Sequence, residues 1–265
     1  MAAPDRDNDL EALIDAVKAG GDVAMRFFGQ DNKVWEKAPG DPVSEADLAV
    51  NAELKTRLTA RRPDYGWLSE ECAQSDDHLR KNRIWVVDPI DGTRAFIKGR
   101  PHFTICAALL EAGQPIAAAV YNPAADELYE AADGRGARLN GVRISASDRE
   151  ALEGCRMLGA MDMFSHPDWP EPWPEMHIEQ RNSIAYRMVL VASGAFDGAI
   201  ALKAKHEWDT AAGALIAREA GAHVSDHLGR PLAFAQSPPL QPSLICAASA
   251  LAPKLLERVA FLTDL

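Results

Sequence analysis

Near the start of the chain Leu10, Leu13, Ile14 and Val17 recur at helical spacing, and Asn8 with Glu11 has the form of a capping box. A first helix is therefore expected from Asn8 toward Gly29, weakened at Gly20-Gly21. A second should start at Ser44, carry Val50, Leu54 and Leu58 on one face, and stop before Pro63. Residues 65–68 and 84–87 read as short buried strands, each delivering acidic residues at its C-terminal end. The runs 103–110, 116–121, 127–131 and 137–139, separated by Gly, Pro, Asn and Asp, predict an antiparallel meander.

The second half of the chain has a different rhythm. Strand 156–159, helix 183–192, strand 195–202 and helix 209–220 are expected in turn, and apolar alternation returns over 244–247 and 251–262. A soft boundary near residue 145 divides an N-terminal half, 1–145, from a smaller C-terminal half, 146–265. Strands and helices in layers imply an α/β or α+β sandwich, with sites where strand ends meet helix starts. Residues 162–175 interleave Pro and Trp, which reads as a surface loop or, more sharply, as a lid over a substrate.

The chain has 265 residues, 47% of them hydrophobic, enough for a substantial core. No run of eighteen apolar residues occurs and the first residues are acidic, so a cytoplasmic location away from membranes is expected. Cys72, Cys106, Cys155 and Cys246 lie far apart without zinc spacing and are expected as reduced thiols, three of them in the core. A net charge of -11 repels nucleic acid and anionic membrane surfaces, and neither is expected as a partner. It also repels a phosphate ester. Binding one requires cations, whose ligands must then be sought among the carboxylates.

The most informative segment is Trp85-Val-Val-Asp88-Pro-Ile-Asp91-Gly-Thr93. A strand is expected to end at Asp88, with Pro89 breaking its ladder and Gly92-Thr93 turning the chain into a helix. Two carboxylates then converge on one turn. Their oxygens suit magnesium, and free amides at a helix start suit a phosphate. Glu70-Glu71 follows another strand end, where adjacent acids are ordinarily a solvated loop. Asp47 fits a capping box with Ser44, and Asp209 fits an N-cap before Leu215 and Ile216.

Taken in order, Asp47, Glu70-Glu71, Asp88-Pro-Ile-Asp91-Gly-Thr93 and Trp208-Asp209-Thr-Ala-Ala-Gly resemble the motif set of the inositol monophosphatase family. Ala112-Gly113, Tyr121-Asn-Pro123 and Glu219-Ala-Gly221 extend the resemblance over most of the chain. It implies an αβαβα sandwich of the sugar-phosphatase type, and a magnesium-dependent, lithium-sensitive phosphatase acting on a small soluble phosphate ester. Glu70, Asp88 and the Ile90 carbonyl are then the ligands of a first magnesium, and Asp88, Asp91 and Asp209 those of a second. Glu70 serves a third, looser ion through water. Asp47 and Thr93 orient and deprotonate the attacking water, and the Gly92 and Thr93 amides bind the phosphate. No P-loop or Ser-His-Asp order occurs, so direct attack by water is expected rather than a phosphoenzyme.

Inositol-specific relatives place a carboxylate shortly before the Trp-Asp pair. Here Leu202 stands at about that place, and residues 199–206 contain no acid. Lys203 and Lys205, with Arg187, suit a second anionic group. Arg94, Lys98 and Arg100 offer a basic rim after the catalytic turn. The expected activity is therefore that of a 3'(2'),5'-bisphosphate nucleotidase, with inositol-1-phosphate and then histidinol phosphate as alternatives. A regulatory binding module with incidental phosphatase activity is the reading from another class. The sequence leaves the oligomeric state open, a homodimer among the options.

Overall fold

Asp9, about two turns from the buried Val17, is itself fully buried, and its carboxylate accepts from Arg62 Nε at 2.7 Å and from Arg83 Nη1 at 3.4 Å. In the computed structural model, which describes residues 3–72 and 76–262 and side chains from residue 8 onward, this aspartate lies inside helix α1, Ala3–Phe27. Asn8 is therefore no cap. The helix starts several residues earlier than the Asn8/Glu11 pattern suggests, and Asp9, inside it, is held by distant arginines. An unanticipated hairpin follows, β1 (Val34–Ala38) and β2 (Asp41–Ser44), before α2 (Glu45–Arg61). Val50, Leu54 and Leu58 are fully buried on one face of α2, as their spacing requires.

The main sheet takes up β3 (Gly66–Ser69), β4 (Arg83–Asp91), β5 (Thr104–Glu111), β6 (Gln114–Asn122), β7 (Glu127–Ala132), β8 (Ala137–Leu139) and β9 (Val142–Arg143) in chain order. Only β3 and β4 are parallel; the rest is the expected meander. A short helix, α3 (Thr93–Ile97), leaves the end of β4. Trp85, Val87, Ile105 and Leu109 bury one sheet face against α1 and α2, while Ile84, Val86, Cys106 and Leu110 bury the other. Burial on both sides explains why these strands read as continuous apolar runs.

The second half forms β10 (Arg156–Leu158), α4 (Met161–Phe164), β11 (His177–Glu179), α5 (Ile184–Ala192), β12 (Gly198–Ala201), β13 (Lys205–His206) and α6 (Glu207–Glu219). It closes with β14 (Ala222–Ser225), β15 (Leu240–Gln241), β16 (Leu244–Ala248) and α7 (Ala252–Val259). A five-stranded sheet has the order β11-β10-β12-β16-β14, and β13 pairs with β15. Helices α5 and α6 fill the space between the two sheets, and α7 covers the far face of the smaller one. The layers are thus α1/α2, sheet, α5/α6, sheet and α7, an αβαβα sandwich. The strand expected over 195–202 is confined to Gly198–Ala201, and 251–262 is largely helix α7 rather than alternating chain. Cys106, Cys155 and Cys246 are buried, and all four cysteines are free.

Gly20-Gly21 does more than weaken α1. A Cβ on Gly20 would lie 3.1 Å from Ile105 and 3.2 Å from Val50, and one on Gly21 only 2.6 Å from the Tyr121 ring. The pair is where α1 comes close to α2 and to the main sheet. Gly20→Leu is expected to overpack this contact at a cost of about 1–3 kcal/mol. The thermal midpoint should fall by about 2–4 °C per kcal/mol; an unchanged midpoint would show that the helix is free to move away.

Candidate active site

In a regular strand, residues three apart face opposite ways. Asp88 and Asp91 nevertheless come to one side of β4. Asp88 pairs with Cys106 and Asp91 with Thr104, so three steps along β4 face two along β5. The extra residue at Pro89-Ile90 is a bulge that restores the side on which Asp88 began. The strand does not end at Asp88, as its proline suggested, but continues to Asp91. Gly92 then turns the chain with φ of 102°, and a Cβ there would stand 2.8 Å from the His102 carbonyl. Only glycine fits both the conformation and the space.

Helix starts hold the carboxylates. Asp91 Oδ2 accepts from Ser183 Oγ at 2.6 Å and from the Ala185 amide at 2.7 Å, where Ser183 caps α5. Asp47 sits in the first turn of α2, its Oδ2 accepting from the Ser44 amide at 2.8 Å and hydroxyl at 2.6 Å. Its other oxygen meets Thr93 Oγ1 at 3.0 Å, and that hydroxyl also lies 3.1 Å from the Ile90 carbonyl. The capping role and the site role therefore coexist, one oxygen for each. Asp209 is the third residue of α6 rather than its cap, and its Oδ2 accepts from the His206 amide at 3.2 Å. Asp88 accepts from the Ile90 amide at 3.0 Å and is 1% exposed.

These groups share one field. Burial raises Asp88 well above the ordinary carboxylate range, and repulsion from Glu70, Asp91 and Asp209 raises it further. Asp209 is raised in the same way, by burial and then by Asp91 and Glu70. Burial lifts Asp91 to about 6 against the pull of Ser183 and the α5 amides, and it also raises Asp47 against Ser44 and Thr93.

Two residues that sequence reasoning missed complete the surroundings. Lys37, from β1, places its ammonium 2.6 Å from Glu70 and 2.8 Å from Glu71. Burial opposes its charge, but the two carboxylates outweigh that and hold the lysine above its usual range. Glu71, expected to point to solvent, is instead a buried partner of this lysine, its side chain 4% exposed. No local signal links Lys37 to Glu70, because the hairpin supplies the contact. Glu207 is also fully buried, accepting from the Ala235 and Gln236 amides at 2.9 and 2.8 Å and so fastening that segment to the start of α6.

A cavity of about 850 Å³ opens from Asp91, Gly92, Thr93 and Asp209. Arg187, Lys203 and Lys205 line it, and so do Leu202 and Arg94, whereas Lys98 and Arg100 are not among its lining residues. Arg187 Nε donates to the Arg181 carbonyl at 2.6 Å, and Lys205 Nζ to the Ala204 carbonyl at 3.0 Å. Among the described residues, none of Arg187, Lys203 and Lys205 is ion-paired with a carboxylate.

Asp88, Asp91 and Asp209 lie in one field, and among the described residues no lysine or arginine is hydrogen-bonded to them; the groups they offer a cation are all oxygens. Buried carboxylates in that state call for a cation, and oxygen donors with room for water suit magnesium. Among the described residues no three acidic, histidine or cysteine side chains are drawn tightly enough to enclose an ion unaided.

An αβαβα sandwich whose helix starts gather buried carboxylates at one end of a cavity fits a phosphatase class. The chain belongs to the inositol monophosphatase family, whose model matches residues 5–263, and it is a phosphoric monoester hydrolase of that family. It is 35% identical over 230 residues to an inositol-1-monophosphatase of Rhizobium meliloti, covering 83% of this chain and 86% of that one. It is 33% identical to the 3'(2'),5'-bisphosphate nucleotidase CysQ of Escherichia coli K12, covering 85% and 93% of the two chains. The fold matches the extragenic suppressor protein suhB of Bartonella henselae with a TM-score of 0.81 at 29% identity, over 94% of this chain and 97% of the other.

Lys37→Met should destabilise the chelated protein by roughly 1–2 kcal/mol, a partly exposed pair being screened. Saturating magnesium should narrow the deficit by neutralising the same acids. Thermal midpoints with chelator and with magnesium test this, and an equal deficit in both would separate Lys37 from the carboxylate field.

Proposed function

We propose that this protein is a magnesium-dependent phosphomonoesterase that removes the 3'-phosphate from a nucleoside 3',5'-bisphosphate by direct attack of water. The observation that carries the substrate choice is the trio Arg187, Lys203 and Lys205, cations without carboxylate partners that line the cavity continuous with Asp91 and Asp209. Burial pushes the Lys205 ammonium below its usual range; Asp209 and Asp91 favour its charge, while Arg187 and Lys203 oppose it, as gathered like charges do. Leu202 faces the cavity at about the place where inositol-specific relatives carry a carboxylate.

Glu70, Asp88, Asp91, Asp209 and the Ile90 carbonyl are the residues that would hold two or three magnesium ions. Bound there, magnesium supplies the positive charge that attracts the ester, acidifies water and stabilises the leaving oxygen. Asp47, fixed through Ser44 on one oxygen, holds the Thr93 hydroxyl with the other to orient the attacking water, and is the carboxylate placed to take the water's proton through that hydroxyl. The first amides of α3, after Gly92, have no helical carbonyl behind them and can donate to the phosphate. Inositol-1-phosphate is the second reading, favoured by the similarity to the rhizobial enzyme.

Asp88→Asn should reduce kcat by at least about 10²–10³ while the fold persists, because charge stabilisation in the transition state depends on that group. Chelation should abolish turnover and lithium should inhibit it; phosphate release that survives exhaustive chelation rules out the metal reading. Arg187→Ala, Lys203→Ala and Lys205→Ala should each raise KM for adenosine 3',5'-bisphosphate by about tenfold to a hundredfold, as expected for a charge-assisted contact. Inositol-1-phosphate should change much less. Equal losses on both substrates would make inositol phosphate the leading candidate, and no phosphate release from either would favour a binding module.

A further inference from the structure

The cavity has a second wall that the phosphatase chemistry does not use. Met163 and Trp169, from the segment around α4, and Phe261, just beyond α7, line it opposite no catalytic role of their own. The segment is not a loose loop. Trp169 packs edge-on against Trp173 at 5.1 Å between ring centres and against Phe261 at 5.4 Å, and Trp173 packs against Phe164 at 5.2 Å. Arg258 of α7 stacks over Trp173 at 5.0 Å and donates to the Glu171 carboxylate at 3.1 Å. Trp169 Nε1 is satisfied by the Met163 carbonyl at 2.5 Å, which leaves the ring and not its polar edge as the recognition surface. Phe261 is 43% exposed although it belongs to this aromatic cluster.

We infer that Trp169 and Phe261 form a subsite for the nucleobase of the substrate, rigidly mounted through Trp173 and Arg258. The inference rests on the nucleotidase reading and deepens it. A cavity of about 850 Å³ is far larger than a phosphorylated polyol needs, and only part of it is lined by the catalytic turn and the cations. An aromatic wall adds affinity for a flat, apolar body such as a base. Asp162 and Asp168 on the same wall are acceptors for an exocyclic amine, which adenine, guanine and cytosine carry. Histidinol phosphate also offers a flat ring and an amine, but it has no second anion for Arg187, Lys203 and Lys205.

The test compares adenosine 3',5'-bisphosphate with methyl riboside 3,5-bisphosphate, which keeps both phosphates and lacks the base, in the magnesium-loaded enzyme. Trp169→Ala should lower the ratio of kcat/KM between the two by about 5- to 150-fold, the range that base stacking spans on alanine substitution, through KM rather than kcat. Trp169→Phe should retain most of the ratio, and Phe261→Ala should lower it in part without disturbing the thermal midpoint. Equal losses on both compounds, or a wild-type enzyme indifferent to the base, would overturn the subsite while leaving the bisphosphate reading intact. Wild-type turnover confined to inositol-1-phosphate or histidinol phosphate would overturn that reading and the subsite with it.

Discussion

Five carboxylates, those of Asp47, Glu70, Asp88, Asp91 and Asp209, are brought into one poorly solvated region, and their mutual repulsion is the constraint around which the rest of the site is built. Each would be more stable apart and hydrated. The fold keeps them together by giving them backbone partners: the starts of α2, α5 and α6 donate to Asp47, Asp91 and Asp209. Positive helix termini are the cheapest local counter-charge a chain without metal can offer. Lys37 supplies the remainder on the Glu70 side.

The layered architecture makes that convergence possible. Helices α5 and α6 are packed between two sheets, so their starts are fixed relative to the end of β4 by apolar contacts on both sides. The bulge at Pro89-Ile90 then turns Asp91 toward the same side as Asp88. Small residues do comparable work elsewhere: Gly92 lets the catalytic turn pass against His102, and Gly20-Gly21 lets α1 settle on the sheet. Function thus depends on close packing at points where no side chain touches substrate.

The cavity is asymmetric in chemistry. One end carries the carboxylates and the Gly92-Thr93 turn, the flank carries Arg187, Lys203 and Lys205, and the far wall is aromatic. Relatives of comparable similarity carry different substrate names, an inositol monophosphatase and a bisphosphate nucleotidase among them. Metal ligands are set by the reaction, and the walls are set by the ester.

The local pattern alone determined the main elements. Val50, Leu54 and Leu58 specified a face of α2, the apolar runs specified the meander, and the spacing of Asp47, Asp88, Asp91 and Asp209 marked the family, because periodicity and short motifs are carried by neighbours in sequence. Tertiary structure decided what neighbours cannot encode. It brought Lys37 to Glu70 and Glu71 across 33 and 34 residues, turned Glu71 inward, and placed Asp9 within reach of Arg62 and Arg83. It also joined Trp169 to Phe261, from segments far apart in the sequence. Contacts of that kind arise only when separate layers pack, and no single segment contains the information that positions both partners.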